Sequence, residues 1–388
     1  MANNSCNTVD QVYLLNQICS KRFDPNIYEC SREYGDWAEP ARILSGTWHI
    51  FIGIIGIVGN LMTIFAIPYA AERKRHEIDK NYATTTVFLL HLSFIDVLHC
   101  VLMTIPRGVM FLGEISPFGE NSCKIVMYAG MTTFVADIVA ISLVAISRCL
   151  DMVITNKWEE FCSKKTNIFI LFLLVWVVSS LTVPTLLTLQ SYGIEIGWNC
   201  ELGACGFIRN CNILNVEDVT RPTDSDTGNC NIRMEVWRIV YIIVFCIPII
   251  ALFSIICSYL IIWYKVHTSK RNFVGTDDTY LRLNGRERKL SCTILVLIVL
   301  HVMFWFVAFG IIAFKYDKNL SSAWSPMAVQ KYFLYIIATN IFELQYSLNF
   351  FVYIARRDQY REAFMDVFKE IYKNMPSSFH SDERRAVN

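Results

Sequence analysis

Residues 123–150 read CKIVMYAGMTTFVADIVAISLVAISRCL, and between Lys124 and Arg148 the only charged side chain is Asp137. Apolar residues run on here without alternating, so a barrel strand is excluded. As an α-helix, the 25-residue step from Cys123 to Arg148 covers about 37 Å at 1.5 Å per residue. That exceeds the hydrocarbon core of a bilayer, about 30 Å thick. The stretch therefore predicts a membrane helix with a cysteine at one mouth and an arginine at the other.

Six further stretches have the length and hydrophobicity to cross: Ser45 to Ala70, Ala83 to Leu112, Asn167 to Leu189, Trp237 to Tyr264, Leu290 to Phe314 and Ala328 to Ile354. Composition agrees. Of 388 residues 54% are hydrophobic and 18% charged, against about a quarter charged in an average soluble chain. A mean hydropathy of +0.37 argues against one soluble domain and against disorder. The net charge of +1 gives no bulk attraction for nucleic acid, and none is expected as a partner. The predicted fold class is all-α, a bundle of seven transmembrane helices with a short amphipathic eighth helix.

Basic residues orient it. Arg73, Lys74, Arg75 and Lys80 follow the first span. Lys157, Lys164 and Lys165 follow the third. Lys265, Lys270, Arg271, Arg282, Arg286, Arg288 and Lys289 follow the fifth. The opposite loops carry only Arg209, Arg221, Arg233, Lys315 and Lys318. The amino terminus is thus predicted outside, without a cleaved signal peptide, and the carboxyl terminus in the cytosol. The two N-x-S/T acceptors, Asn3 and Asn319, fall on the outer side, as glycosylation requires. Cysteines sort likewise. Cys6, Cys19, Cys30, Cys123, Cys200, Cys205, Cys211 and Cys230 lie outside, where disulfides form. Cys100, Cys149, Cys162, Cys246, Cys257 and Cys292 lie in the membrane or inside.

Polar residues within spans are costly and need a reason. In order they are Gly59-Asn60; Leu92-Ser93-Phe94-Ile95-Asp96; Cys123 and Ser147-Arg148-Cys149; Trp176; Pro248; Trp305; and Asn349-Phe350-Phe351-Val352-Tyr353. This set resembles the rhodopsin-like family of G-protein-coupled receptors over about Ser45 to Tyr372. Phe118-Gly119 matches that family's W-x-F-G turn, with Ser116 in place of the Trp. The loop Leu202-Gly203-Ala204-Cys205-Gly206-Phe207, after Tyr192-Gly193, resembles the invertebrate moody and trapped-in-endoderm receptors and the melatonin receptors.

There are departures. The family's Asp-Arg-Tyr is Ser147-Arg148-Cys149 here, so the acid beside Arg148 is lost. Phe350 replaces the proline of Asn-Pro-x-x-Tyr, and Val307 that of Cys-Trp-x-Pro. Both helices should lack their usual kinks.

The resemblance implies roles. Arg148 and Glu287 would clamp the third and sixth helices at rest, and Arg148 would face a heterotrimeric G protein once released. The bland alternative is a pair of solvated charges contributing about 0 to 1 kcal/mol. Trp305 would be the switch beneath the ligand, with Asn349 and Tyr353 part of the same machinery. His301, four residues before Trp305, is read as packed and hydrogen-bonded rather than as a pH sensor. Asp96, with Asn60 and Asn349, would hold a sodium ion. Asp137 brings a second acid to that depth. Two such acids share a cation or a proton, or form a neutral structural pair. Cys123 would bridge to the loop after the fourth helix, where Cys205 comes first and Cys211 next among four candidates.

The ligand is less defined. Gly130 stands where amine receptors carry Asp, and Glu343 where opsins carry the retinal-binding Lys, which argues against both. Glu217, Asp218, Asp224 and Asp226 would steer a basic peptide, or simply keep a loop soluble. A lipid entering from the bilayer stays open. The expected arrangement is an extracellular tail (1–44), the receptor domain (45–354), an amphipathic helix on the inner leaflet lipid (355–372) and a cytoplasmic tail (373–388). Arrestin and a receptor kinase would be further partners, with Ser377, Ser378 and Ser381 either phosphorylation sites or simply part of a polar tail. A secondary transporter or channel is the alternative class, but no internal repeat supports it. No catalytic constellation points to an enzyme.

Overall fold

The structure is a computed structural model. It describes residues 38–73, 80–113, 120–181, 194–199, 204–209, 246–247, 249–265, 292–307, 326–356 and 358–374. Seven helices fall where the apolar runs predict them. They are α1 (Ala38–Arg73), α2, α3 (Glu120–Val153), α4 (Lys165–Ser180), α5 (Ile249–Lys265), α6 (Cys292–Val307) and α7 (Pro326–Arg356). Helix α2 is composite. Lys80–His99 passes through a π-helical segment, Cys100–Thr104, into Ile105–Leu112. A short helix, Thr155–Ser163, links α3 to α4, and α8 (Asp358–Asn374) follows α7.

Three stretches, Pro40–Ala66, Thr86–Leu112 and Cys123–Val153, are long and apolar enough to cross a membrane, and α4, α5 and α6 are shorter apolar helices. Their outward faces show why lipid is the expected solvent. Leu44, Phe51 and Phe65 on α1, Phe169 and Leu173 on α4, and Ile249, Phe253 and Trp263 on α5 are all exposed. In water such a surface would aggregate; against acyl chains it is satisfied, while the backbone bonds within each helix.

The core runs along α3. Phe134, Ile138, Ile141, Val144 and Ala145 meet Phe88, Leu92 and Ile95 of α2, Ile294, Leu297 and Ile298 of α6, and Tyr353 of α7. Small residues bring α1 close to its neighbours, the usual device when lipid removes the hydrophobic drive between helices. A Cβ on Gly56 would stand 2.6 Å from Cys100 Sγ and 2.8 Å from Ser347 Oγ. That close approach lets Ser347 Oγ donate to the Ile52 carbonyl at 2.7 Å.

Helix α7 is unbroken from Pro326 to Arg356. Phe350, at the position where the family carries proline, retains its backbone N–H. Its ring fills the space over Gly59 and meets Phe364 of α8 edge-on at 5.1 Å. Ala363 and Phe364 are buried, so α8 docks its apolar face on the bundle as its pattern predicts.

The all-α expectation holds for the bundle and takes one addition. The loop after α4 forms an antiparallel hairpin, β1 (Ile194–Asn199) with β2 (Ala204–Arg209), pairing Trp198 with Cys205. The hairpin packs on α3.

Candidate functional site

Three buried polar groups line the bundle. The middle one contains the acids singled out from sequence. Asp96 on α2 and Asp137 on α3 are both fully buried, and each lies within electrostatic reach of the other. Asn349 Nδ2 donates to Asp96 Oδ2 at 2.5 Å. Asn60 Nδ2 donates to the Gly56 carbonyl at 2.9 Å and to that of Tyr346 at 2.7 Å, fastening α1 to α7. Five carboxylate and carboxamide oxygens of this group lack a hydrogen-bond partner among the described residues: Asp96 Oδ1, both oxygens of Asp137, Asn60 Oδ1 and Asn349 Oδ1. Buried oxygens left this way are costly unless something fills their lone pairs.

His301 stands beside this group on α6. Its Nδ1 donates to the Leu297 carbonyl at 2.8 Å, and its Nε2 is 4.0 Å from Asp137 Oδ1. The packed, hydrogen-bonded reading of His301 thus matches its geometry. Trp305 is buried one turn away, edge-on to His301 at 6.3 Å and to Phe134 at 6.4 Å.

At one end, Arg148 is buried in the last turns of α3. Its Nη1 is 3.7 Å from Asp151 Oδ2, one turn further along the same helix. Ser147, in the place of the missing acid, accepts from Trp158 Nε1 of the linking helix at 3.3 Å. Lys265 at the end of α5 donates to the Met152 carbonyl. The carboxylate near Arg148 is therefore supplied one turn later than the family's spacing. Tyr353 of α7 is buried on the same side of the acid pair. Glu287, the expected partner of Arg148, lies outside the described residues, as do Asn3 and Asn319.

Toward the other end, a third group escaped the sequence reading, which used Glu343 only to argue against a retinal Lys. Glu343 on α7 is fully buried. It accepts from Arg107 Nη1 at 3.0 Å, from Thr104 Oγ1 at 2.6 Å and from His99 at 3.2 Å. The other ring nitrogen of His99 bonds Thr133 Oγ1 of α3 at 2.8 Å, and Tyr346 stacks on the imidazole at 3.6 Å. The π segment is what makes this possible. His99, Thr104 and Arg107 are spaced by five and eight residues. On a regular helix at about 100° per residue, Thr104 and Arg107 would lie about 140° and 80° around from His99. A π turn absorbs one residue and restores the one-face spacing of four and seven. The signal available in sequence was three ionisable side chains, His99, Arg107 and Glu343, inside apolar spans.

Cys123 is buried at the start of α3, and Cys205 sits on β2 of the hairpin packed against that helix. Cys100, Cys149, Cys162, Cys246, Cys257 and Cys292 are free, as their side of the membrane predicts. On the linking helix, outside the spans, burial pushes the Cys162 thiol up to about 11, with Asp151 adding to the shift.

A bundle of seven apolar helices with buried ionisable groups along its axis and an arginine at one end has the architecture of a multi-pass membrane protein. The model of the 7 transmembrane receptor (rhodopsin family) matches residues 59–342, and the chain belongs to that family, one of receptors and not of enzymes. It is 22% identical over 328 residues to succinate receptor 1 of Mus musculus, covering 84% of this chain and 90% of that one. It is 24% identical over 338 residues to the protein trapped in endoderm-1 of Drosophila melanogaster, covering 81% and 74%. A shorter match, 26% over 165 residues, joins it to apelin receptor A of Danio rerio and covers 42% and 43%. Among solved structures, squid rhodopsin superposes with a TM-score of 0.55 at 16% identity, over 89% of this chain and 91% of that one.

Proposed function

We propose that this receptor carries an extracellular signal to heterotrimeric G proteins, and that its ligand is a peptide. The observation that carries the coupling reading is Arg148: a fully buried guanidinium at the end of the central helix, beside a carboxylate that can release it. The peptide reading draws on relatives named for peptides, apelin receptor A and neuropeptide Y receptor type 6, and on the acidic loop Glu217, Asp218, Asp224 and Asp226. The amino terminus then lies outside the plasma membrane and the Arg148 end faces the cytosol, as the basic loops direct.

In this reading Glu287 shares the restraint of Arg148 with Asp151, and Trp305, Asn349 and Tyr353 relay the change between ligand and G protein. Asn3 and Asn319 carry glycans. Cys123, which is disulfide-bonded, pairs with Cys205 and ties the hairpin to α3. The domain bounds follow the same scheme: tail 1–44, receptor 45–354, membrane-lying helix 355–372 and cytoplasmic tail 373–388, the last open to a receptor kinase and arrestin.

The acid pair suits a sodium ion. Asp96, Asp137 and Asn60, with Asn349, would supply the oxygens that lack partners, a hard oxygen set fit for an alkali cation. Such an ion would neutralise part of the buried charge and favour the resting arrangement.

The decisive experiment is nucleotide exchange on a panel of G proteins with the purified receptor in lipid nanodiscs. Acceleration of exchange by any of them is the expected result. Failure with every G protein would leave a receptor of this family that does not signal by G-protein exchange.

A further inference from the structure

The Glu343 group has features that an ordinary structural ion pair does not need. Glu343 is fully buried and its lone pairs are met by three donors. Arg107, by contrast, donates to Glu343 through Nη1 and makes no other hydrogen bond or ion pair among the described residues. Its side chain is 12% exposed, whereas that of Glu343 is 0% exposed. Arg107 lies in the last turns of α2, on the side of the bundle that carries Cys123. One edge of the guanidinium is therefore fixed by a buried carboxylate, while its other nitrogens make no hydrogen bond among the described residues. A guanidinium so held recognises a second carboxylate with two parallel hydrogen bonds and little loss of rotamer freedom.

A second observation lies on α1. His49 is fully buried and packs against Phe111 at 5.3 Å. Its Nδ1 is 2.7 Å from the Ser45 carbonyl, which can only accept, so Nδ1 carries the proton. Its Nε2 is then a bare acceptor, and it has no hydrogen-bond partner among the described residues. His49 packs on α2 beside Arg107, since a Cβ on the next residue, Gly108, would stand 3.0 Å from His49 Cβ, and both Arg107 and Glu343 lie within its electrostatic reach. Ser45 Oγ, the other polar group here, is already spent on Asn340 Oδ1 at 2.9 Å. One position in this group thus wants an acceptor with charge, and an adjacent one wants a donor.

We propose that Arg107 and His49 form the anchoring subsite for the ligand, taking a carboxylate on Arg107 and a neighbouring N–H or O–H on His49 Nε2, with Glu343 as the positioning residue. The proposal rests on the receptor reading above and names the chemistry of its ligand. Two sources carry that chemistry. A peptide with a free carboxyl terminus presents the carboxylate and the last amide N–H together; a small α-hydroxy acid presents a carboxylate and a hydroxyl. The ligand's charge is met without uncovering Glu343, so the buried pair stays intact when the subsite fills.

The test uses the full-length receptor in nanodiscs and reads thermal unfolding and binding by competition. The probes are a tripeptide library as free acids and as matching carboxamides, and α-hydroxy acids of three to six carbons beside their deoxy parents. Removing Arg107 alone leaves a buried charge on Glu343 and risks misfolding. The main variant is therefore the pair Arg107→Gln with Glu343→Gln, which strands no charge; Arg107→Lys is the second. Expected are stabilisation by at least one free acid and none by its carboxamide. The paired change should weaken that acid at least about tenfold, the loss of one charge-assisted pair of hydrogen bonds. Arg107→Lys should weaken it less, because the charge stays and the fork is lost. Stabilisation by peptide acids alone assigns a peptide terminus; stabilisation by hydroxy acids alone assigns a small acid and removes the peptide reading. Equal binding of acid and carboxamide, no stabilisation by any probe acid, or unchanged binding in the paired variant would overturn the subsite. Absence of nucleotide exchange by the wild-type receptor, by contrast, counts against coupling and leaves the subsite measurement standing.

Discussion

Asp151 Oδ2 lies 3.7 Å from Arg148 Nη1, and the two side chains leave the same helix one turn apart. The position directly before Arg148 is a serine engaged by Trp158. The acid that accompanies this arginine has moved from its amino-terminal to its carboxyl-terminal side. At 3.7 Å the interaction is an ion pair rather than a short hydrogen bond, but burial screens it little.

Removing the charge with Asp151→Asn should therefore raise agonist-free nucleotide exchange. A restraint of about 1.4 kcal/mol is a factor of about ten in a small active fraction, so a rise of about three- to tenfold is expected at matched surface expression. Ser147→Asp adds an acid on the other side of Arg148 and should lower exchange. Unchanged exchange in Asp151→Asn would show that other contacts hold the arginine.

Glu287→Ala should raise exchange too, by less than it would if Glu287 were the sole partner of Arg148. The double change with Asp151→Asn gives the comparison. Exchange in the double variant no higher than in either single variant means that the two acids do not share the restraint.

For the acid pair, sodium should suppress agonist-free exchange in the natural receptor. Asp96→Asn removes the carboxylate that Asn349 fixes and should abolish that suppression. Asp137→Ser should keep a sodium response while changing its strength. If exchange titrated against sodium chloride, with potassium chloride holding ionic strength, is the same in all three proteins, the acids are structural.

Phe350 offers a stability test away from the proposed sites. Its ring packs over Gly59 and against Phe364. Phe350→Ala opens a cavity between α1, α7 and α8 and should destabilise by about 3 to 5 kcal/mol, read as a lower melting temperature in detergent. Phe350→Pro would remove a backbone donor from an unbroken helix and bend it. A melting temperature unmoved by Phe350→Ala would mean that the ring does not pack on Gly59 and Phe364 in solution as it does here.

Topology is checked with intact cells. An epitope before Met1 should stain without permeabilisation, and one after Asn388 only with it. The reverse pattern would invert the assignment of both ends.

The length of each apolar run determined the seven helices, because crossing a bilayer is decided locally by about 20 consecutive residues. The periodic apolar face of Phe364, Val367 and Phe368 likewise determined α8, and the loop charges determined the expected orientation. Asp96, Asp137, Asn60 and Asn349 were legible as candidates, since each is an expensive polar residue at matching depth, and the structure joins Asn349 to Asp96. Only the tertiary structure decided the rest. Whether two polar side chains meet depends on how each helix is rotated, and a single π turn changes that rotation for every residue after it. His99, Thr104 and Arg107 point in different directions on a regular helix and converge on Glu343 only because Cys100–Thr104 takes up one extra residue. The carboxylate beside Arg148 could not be read from Ser147, because Asp151 reaches the guanidinium from the following turn. The hairpin before α5 was not read from the loop either: it pairs Trp198 with Cys205 and lies against α3, and no alternation along the loop was strong enough to show it.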